Sequence, residues 1–279
     1  MDEPESHLHP LAQKWLAKQI FKMAEDGLQI IITTHSPHFI NLQKLPGLNL
    51  VRKDKETTYV VNNTSSSLYK HCIKTGSNAS KTNEETVIPF YTNQATPHIL
   101  SGFFATKVIL VEGLTEELAL PIYFERLNFD TTEQGVEVIA VNGKGNLAKW
   151  WRFFTLYQIP TFVCFDNDTR SGDDTNGNHR KDALKAIGIP ESDLDGVLGE
   201  SEWNISDKFC VFGEDFEKTM RISFEDYSTI EDNKKIELGS SSKHLIAREV
   251  AKKIDIIKDS IGKKYFELLI CKIKDLTVV

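Results

Sequence analysis

The sequence predicts an α/β fold in which a Rossmann-like parallel sheet is flanked by helices. Apolar, β-branched runs alternate with stretches of helical periodicity through the second half of the chain, a pattern typical of a parallel sheet covered on both faces. Acidic residues follow three of these runs, at the sheet edge where ligand sites form. The four predicted strands are residues 107–111, 136–141, 161–165 and 208–212.

The N-terminal part of the chain predicts a different organisation. Helical spacing of apolar residues predicts a helix over residues 11–24 that Gly27 ends. The run LQIIIT at 28–33 predicts a buried strand, and residues 49–62 predict a strand or hairpin. Residues 63–100, rich in Ser, Thr, Asn and Lys, predict a linker or irregular connection. We therefore divide the chain into residues 1–62, 63–100 and 101–279.

The C-terminal part also contains five predicted helices. The first covers residues 116–127, with Thr115 as its N-cap. The second covers residues 147–157 and contains Trp150 and Trp151. These two are predicted to be one core and one surface aromatic rather than a base-stacking platform. The other three cover residues 181–187, 240–257 and 265–274.

Composition indicates a globular protein without a membrane span. The chain has 279 residues, 40% of them hydrophobic, enough for one or two domains with apolar cores. Neither a signal peptide nor an apolar run of about 18 residues is visible. Four cysteines without a CxxC pair predict reduced, buried thiols in a cytoplasmic protein rather than a zinc site. The net charge of −7 is unfavourable for nucleic-acid binding unless basic residues are grouped on one face.

Three acidic pairs follow strands that a parallel sheet brings to one edge. Six carboxylates placed together repel one another unless cations neutralise them, and oxygen ligands suit Mg²⁺ or Mn²⁺. Two such ions form the usual clamp for in-line attack on a phosphodiester. Each pair alone is also compatible with a helix cap, a turn or a helix-dipole contact, and only their conjunction favours a metal site. The pairs are Glu112 with Glu116, Asp166 with Asp168, and Asp215 with Glu217.

Three segments resemble the signature segments of a Toprim domain. They are residues 103–121 (FFATKVILVEGLTEELALP), 138–143 (VIAVNG) and 163–168 (VCFDND). The ExxxE form at 112–116 and the later Asp-x-Glu at 215–217 resemble the version found in the OLD (overcoming lysogenization defect) family. The resemblance implies a nuclease in which all six carboxylates bind two metal ions, with the first four acting directly in catalysis.

The N-terminal part resembles the ABC-type ATPase of the same family. Residues 2–5 (DEPE) and 7–10 (HLHP) resemble its Walker B end, and residues 33–37 (TTHSP) its switch-histidine loop. The resemblance implies that Asp2 helps to hold Mg²⁺, Glu3 polarises the attacking water and His35 contacts the γ-phosphate. The histidines of these loops are therefore not interpreted as a metal site.

One ATPase motif does not occur in the chain. The phosphate-cradling loop GxxxxGK[ST] is absent from the sequence, so we expect no ATP hydrolysis by this chain. We expect instead an ATPase front half, with bound ATP, in a full-length parent. The resemblance covers residues 1–62 and 101–279.

Basic residues supply the remaining candidates for a nuclease site. Lys243, after Gly239 and three serines at a helix start, resembles the late lysine of OLD Toprim domains. The resemblance implies that Lys243 offsets transition-state charge; the alternative is a solvated helix residue. Further basic residues are predicted to contact the DNA backbone: Lys144, Arg170, Arg180, Lys181 and Arg248.

These observations predict a metal-dependent DNA endonuclease or nickase. A topoisomerase- or primase-like Toprim enzyme is an alternative, although no tyrosine has supporting context and no primase zinc module is present. A non-catalytic Toprim module that only binds DNA, as in recombination mediators, is the alternative from another class. DNA is the predicted partner, together with the ATPase region, a second copy of the full-length protein and a possible partner helicase.

Overall fold

The N-terminal part of the chain contains one long helix, two short 3-10 helices (Pro37–Phe39 and Leu42–Gly47) and a hairpin. The computed structural model describes residues 1–54, 56–167, 177–199 and 202–278. Helix α1 (Pro10–Glu25) is capped by His9, whose ring accepts from the Ala12 backbone NH. Strands β1 (Asn49–Asp54) and β2 (Thr57–Asn62) pair in an antiparallel hairpin, as predicted.

Residues 28–33 do not form the predicted buried strand. Thr33 makes a single parallel bridge to Asp2, and the rest of the run is irregular. Leu28 and Ile31 are 54% and 77% exposed. The prediction was wrong because the described part of the chain offers this apolar run no neighbouring strand with which to form a ladder.

Residues 63–100 form helices rather than the predicted irregular connection. They contain α2 (Ser65–Lys74), α3 (Glu84–Gln94) and α4 (Pro97–Ser101). Thr64 and Asn83 each close a capping box at the start of a helix. The prediction failed because the polar residues that suggested a loop are caps and exposed helix faces. The buried faces carry Leu68, Cys72, Val87 and Tyr91.

A five-stranded sheet forms the centre of the rest of the chain. The four predicted strands are β3, β4, β5 and β7, and they pair in parallel. A short strand, β6, pairs antiparallel with β7 at one edge. The spatial order is β4-β3-β5-β7-β6. The strands are β3 (Lys107–Val111), β4 (Val136–Ala140), β5 (Thr161–Asp166), β6 (Asn204–Ile205) and β7 (Phe209–Phe212).

Eight helices in the described residues follow or connect these strands. The five predicted helices are present with ends shifted by a few residues, and α8, α9 and α10 were not predicted. Helix α5 begins after Gly113, so Thr115 is not its N-cap. The helices are α5 (Leu114–Arg126), α6 (Lys144–Leu156), α7 (Asn178–Ile187), α8 (Leu194–Leu198), α9 (Phe216–Ser223), α10 (Tyr227–Leu238), α11 (Lys243–Lys253) and α12 (Ile261–Asp275).

The sheet separates two apolar cores. Val108 and Leu110 of β3 face a core that includes α6 and the buried residues of α2 and α3. Ile109 and Val111 face a second core with α5, α11 and α12. This alternation of side chains along a strand fixes β3 between two layers.

Two predictions about buried side chains need correction. Trp150 and Trp151 are both core residues, 0% and 1% exposed, because α6 is covered by the sheet on one side and by α2 and α3 on the other. Of the four cysteines, Cys271 is exposed and the other three are buried.

Among the described helices, none combines the length and apolar character needed to cross a membrane.

Candidate active site

The ends of three adjacent parallel strands carry the predicted acidic residues. Glu112 directly follows β3, Asp166 is the last residue of β5, and Glu217 lies in the first turn of α9 after β7. Because β3, β5 and β7 are neighbours in the sheet, their carboxyl ends lie at the same edge. The predicted convergence of the acidic pairs therefore has a structural basis.

Glu116 is held inside this edge by the first turn of α5. Its side chain is buried, and Oε2 accepts a hydrogen bond from the backbone NH of Gly113 at 3.2 Å. Burial is the main cause that raises the pKa of Glu116 to about 7, and the charges of Glu112 and Glu217 contribute to that value. A carboxyl in this environment is held part-protonated unless a cation joins it.

Asp166 experiences the same field. Burial raises its pKa well above the usual range, and the charges of Glu116 and Glu112 add to that effect. Its Oδ1 is enclosed and has no hydrogen-bond partner among the described residues. Glu217 also raises the pKa of Asp166, so four carboxylates act on one another in a single electrostatic cluster, which we call the acidic cluster: Glu112, Glu116, Asp166 and Glu217.

A buried lysine lies against the acidic cluster. Lys144 is the first residue of α6, is 5% exposed, and places Nζ 3.6 Å from Oε2 of Glu112. Its positive charge lowers the pKa of Asp166. The turn before it needs Gly143, whose φ of 117° suits glycine. Lys144 thus points into the protein, so its burial does not fit the predicted contact with the DNA backbone.

Asp215, the sixth predicted ligand, has a structural role as well. It is the N-cap of α9 and accepts a hydrogen bond from the backbone NH of Lys218 at 2.7 Å. Asp215 and Glu217 line a cavity of about 360 Å³, and Lys243 lines the same cavity from the start of α11. The structure therefore brings Lys243 to the space beside the acidic cluster.

The other predicted basic residues are dispersed. Arg180 is buried and donates from Nη1 to the backbone oxygen and Oδ1 of Asn167, both at 2.8 Å, so its guanidinium is engaged inside the protein. Lys181 pairs with exposed Asp195 at 2.8 Å. Arg248 is exposed on α11. The predicted residues Asp168 and Arg170 lie outside the described residues.

The acidic cluster fits hard divalent cations by its donor chemistry. It offers carboxylate oxygens, the ligands that such ions prefer, and its raised pKa values mean that an added cation would relieve repulsion. Within the described ranges, which omit Asp168, no three His, Cys, Asp or Glu side chains form a ready-made metal cage. The side chains are thus near one another without being arranged as a complete coordination sphere.

The predicted ATPase-motif residues also lie together, at the N-terminal end. Nε2 of His35 is 3.2 Å from Oε1 of Glu3, and Asp2 bridges to Thr33. Glu5, which sequence reasoning did not single out, is buried and accepts from the His35 backbone NH at 2.8 Å. Its position in the segment DEPE, which resembles the Walker B end, was the sequence signal that could have identified Glu5.

Two family models match the chain. One is the Toprim domain of overcoming lysogenization defect protein-like proteins, over residues 103–168, and the other is an AAA ATPase domain, over residues 1–40. The first match contains Glu112, Glu116 and Asp166, and the second contains the whole N-terminal cluster around His35.

Curated proteins similar to the chain are nucleases by name. The OLD nuclease of Thermus scotoductus (strain ATCC 700910 / SA-01) is 29% identical over 175 residues, covering 60% of this chain and 30% of that protein. The Old nuclease of Escherichia phage P2 is 28% identical over 178 residues, covering 60% and 27%. Endonuclease GajA of Bacillus cereus (strain HuB5-5) is 26% identical over 195 residues, covering 65% and 27%. The chain spans less than a third of the length of these relatives.

Solved structures similar to the chain include the C-terminal regions of two OLD proteins. That of the Xanthomonas campestris pv. campestris OLD protein has 16% identity and a TM-score of 0.45, covering 62% of this chain and 94% of that one. That of the Burkholderia pseudomallei OLD protein has 19% identity and a TM-score of 0.43, covering 62% and 98%.

Proposed function

Because the chain is an OLD-family protein with a Toprim domain, we propose that it hydrolyses phosphodiester bonds of DNA with the help of divalent metal ions. The observation that supports this most is the acidic cluster at the carboxyl ends of β3, β5 and β7. In the absence of metal, the four ionised carboxylates destabilise the folded protein because they are buried together and repel one another. The raised pKa values of Glu116 and Asp166 indicate this effect. Such an arrangement is expected where function needs the charge.

The proposed cofactors are two Mg²⁺ or Mn²⁺ ions. The acidic cluster would hold them together with Asp168 and Asp215, and Glu112, Glu116, Asp166 and Asp168 would act closest to the reaction. When bound, such ions activate water and stabilise charge on the phosphoryl and leaving oxygens. The reaction would form a bond from the water oxygen to phosphorus and break the phosphorus–oxygen bond to the leaving sugar oxygen, which takes up a proton.

The chain's own cations have separate proposed roles. Lys144, buried beside Glu112, would offset part of the negative charge of the cluster before substrate binds. Lys243, exposed at the cavity beside Glu217, would approach a phosphate oxygen and stabilise the charge that develops there. Lys181 and Arg248 would contact the DNA backbone further away.

The wider assembly is also part of the proposal. The N-terminal ATPase-like residues would act with an ATP-binding region of a full-length protein. A second copy of that protein and a partner helicase are its proposed partners, and the cytoplasm is its proposed location. The acidic cluster can be tested without any of them.

Plasmid cleavage tests the proposed activity. Supercoiled plasmid is incubated with the chain in EDTA, Mg²⁺, Mn²⁺ or Ca²⁺, beside Asp166→Asn and the matched control Asp207→Asn. Asp207 is an exposed carboxylate paired with Lys272 at 2.6 Å, and it precedes β7, whereas Glu217 follows the opposite end of that strand. We expect nicked or linear product with Mg²⁺ or Mn²⁺, lost by about 100-fold or more in Asp166→Asn and retained in Asp207→Asn.

Two outcomes would contradict the proposal. Equal cleavage by Asp166→Asn and the unchanged protein would remove Asp166 from the site. DNA binding that is independent of metal, with no nicks under any condition, would favour the non-catalytic Toprim module.

A further inference from the structure

A cavity adjoins the acidic cluster on the side of α9. It is about 360 Å³ in volume and lies among α9, α10 and the start of α11. Glu217 belongs both to its wall and to the acidic cluster, since its charge raises the pKa of Glu116 and of Asp166. A molecule in this cavity would therefore lie next to the proposed reaction site.

The wall of the cavity carries an arginine held in one orientation. Arg221 donates from Nε and Nη2 to the two carboxylate oxygens of Glu231, each at 2.8 Å. Glu231 is buried, its side chain only 9% exposed, while that of Arg221 is 36% exposed. This side-on pair fixes the guanidinium plane and uses one edge of it. Among the described residues, the hydrogen-bond partners of Arg221 are on that edge, so the other edge, formed by Nη1 and the second N–H of Nη2, is available to a ligand.

Other cations face the same space. Lys235 also contacts Glu231, at 2.9 Å, so one buried carboxylate is shared by two cations. Lys243 lines the cavity and forms no ion pair within the described residues. Ile246 and Ala247 also line the cavity, and apolar neighbours lower the local dielectric constant and so strengthen electrostatic attraction.

We propose that this cavity binds a backbone phosphate of the DNA strand, with Arg221 as the contacting residue and Glu231 as the residue that positions it. The proposal rests on the proposed DNA cleavage and extends it to how the strand is held. The phosphate would lie beside the acidic cluster rather than in it, because Glu217 separates the two. Arg is suited to this role because its planar fork matches phosphate oxygens.

The geometry favours a phosphate site over a purely structural ion pair. An exposed ion pair contributes little to stability, whereas here a buried carboxylate, Glu231, is contacted by two cations, Arg221 and Lys235. Lys235 is also paired with Asp232 at 3.3 Å, so Arg221 is the better candidate for a ligand contact. Four cations line the cavity, namely Lys218, Arg221, Lys235 and Lys243, against three carboxylates. The acidic cluster would repel DNA, so a basic wall at its side provides the attraction that the cluster lacks.

The salt dependence of DNA binding tests the proposal. Binding to a fluorescein-labelled duplex is followed by anisotropy in EDTA over a series of KCl concentrations, for the unchanged chain, Arg221→Gln, Arg221→Lys, Glu231→Gln and Lys272→Gln. Each phosphate contact contributes about 0.9 to the slope of log K against log salt. We expect Arg221→Gln to weaken binding and to lower that slope by about 1.

The variants separate phosphate contact from structural effects. Arg221→Lys keeps the charge and should keep the slope while binding more weakly, because the fork is lost. Glu231→Gln should behave likewise, since the arginine remains but is no longer oriented. Lys272→Gln, which removes a half-buried lysine paired with the exposed Asp207, is the control and should bind as the unchanged chain does.

Each outcome decides between the inference and the proposed function. Equal slopes for the unchanged chain and a folded Arg221→Gln would overturn the phosphate site, as would a lowered slope in Arg221→Lys. A lowered slope in Arg221→Gln without plasmid cleavage under any metal would support the site and refute the nuclease. Failure of the unchanged chain to bind DNA in EDTA would overturn the phosphate site alone, because plasmid cleavage with Mg²⁺ or Mn²⁺ tests the nuclease separately.

Discussion

Replacing Glu116 by Gln should stabilise the metal-free protein at neutral and alkaline pH. The glutamine can still accept the hydrogen bond from Gly113 but carries no charge. In the folded protein the pKa of Glu116 is raised from 4.5 to about 7, so the folded state binds its proton more tightly than the unfolded state. The stabilisation from that proton is complete below about pH 4.5 and is lost as pH rises through about 7.

The size of the effect follows from the shift. At about 1.4 kcal/mol per pKa unit, the ionised Glu116 costs the folded protein about 3 kcal/mol above about pH 8. The variant does not have this cost. Its advantage in free energy of unfolding should therefore be near its minimum at about pH 4.5 and larger by about 3 kcal/mol at about pH 8.

Urea unfolding in EDTA, followed by circular dichroism at a series of pH values, measures the difference between the two proteins. Glu133→Gln removes an exposed carboxylate and serves as the matched control. A difference between Glu116→Gln and the unchanged protein that stays constant from about pH 4.5 to about pH 8 would refute the linkage argument. Added Mg²⁺ should stabilise the unchanged protein more than the variant.

Two further predictions concern regions outside the acidic cluster. A Cβ on Gly102 would lie 2.7 Å from the buried ring of Phe154, so Gly102→Ala should lower the free energy of unfolding by about 1–3 kcal/mol, as measured by thermal unfolding. Gly47→Ala is the control, because a Cβ on Gly47 would meet open space. Equal melting temperatures for the two variants would contradict this packing. The hydrogen bond from His98 to Glu117, 2.6 Å long, raises the pKa of His98. The stabilisation from this pair should be present below about pH 6.5 and lost as pH rises through the raised value, and an NMR titration of His98 that is unchanged in Glu117→Gln would exclude it.

The central sheet could be predicted because its signal is local. Each parallel strand is buried on both faces and therefore appears as a short apolar run, as in residues 107–111. The acidic residues could be predicted for the same reason, since Glu112 and Asp166 stand at strand ends and parallel topology then places them together. Helix α2 was missed because its buried face has few residues among many polar ones.

The remaining features of the site depend on tertiary contacts. Nothing in the sequence around Lys144 or Arg180 indicates burial of a cation, because each is buried by partners that come from another element. Arg221 and Glu231 lie in different helices, so the periodicity of a single helix does not predict that they are neighbours. Their pairing depends on how α9 and α10 are packed. The strand predicted for residues 28–33 was wrong for the opposite reason, since an apolar run alone does not supply a neighbouring strand.

The core that lies behind α6 has a consequence for where the chain can be divided. Leu42, Leu45, Leu68 and Tyr91 belong to the same apolar core as Trp150. A protein trimmed to residues 101–279 would expose one side of that core to water and invite aggregation. Limited proteolysis should therefore leave residues 42–100 attached to the sheet, and the smallest fragment that contains the sheet and folds alone should begin ahead of Leu42.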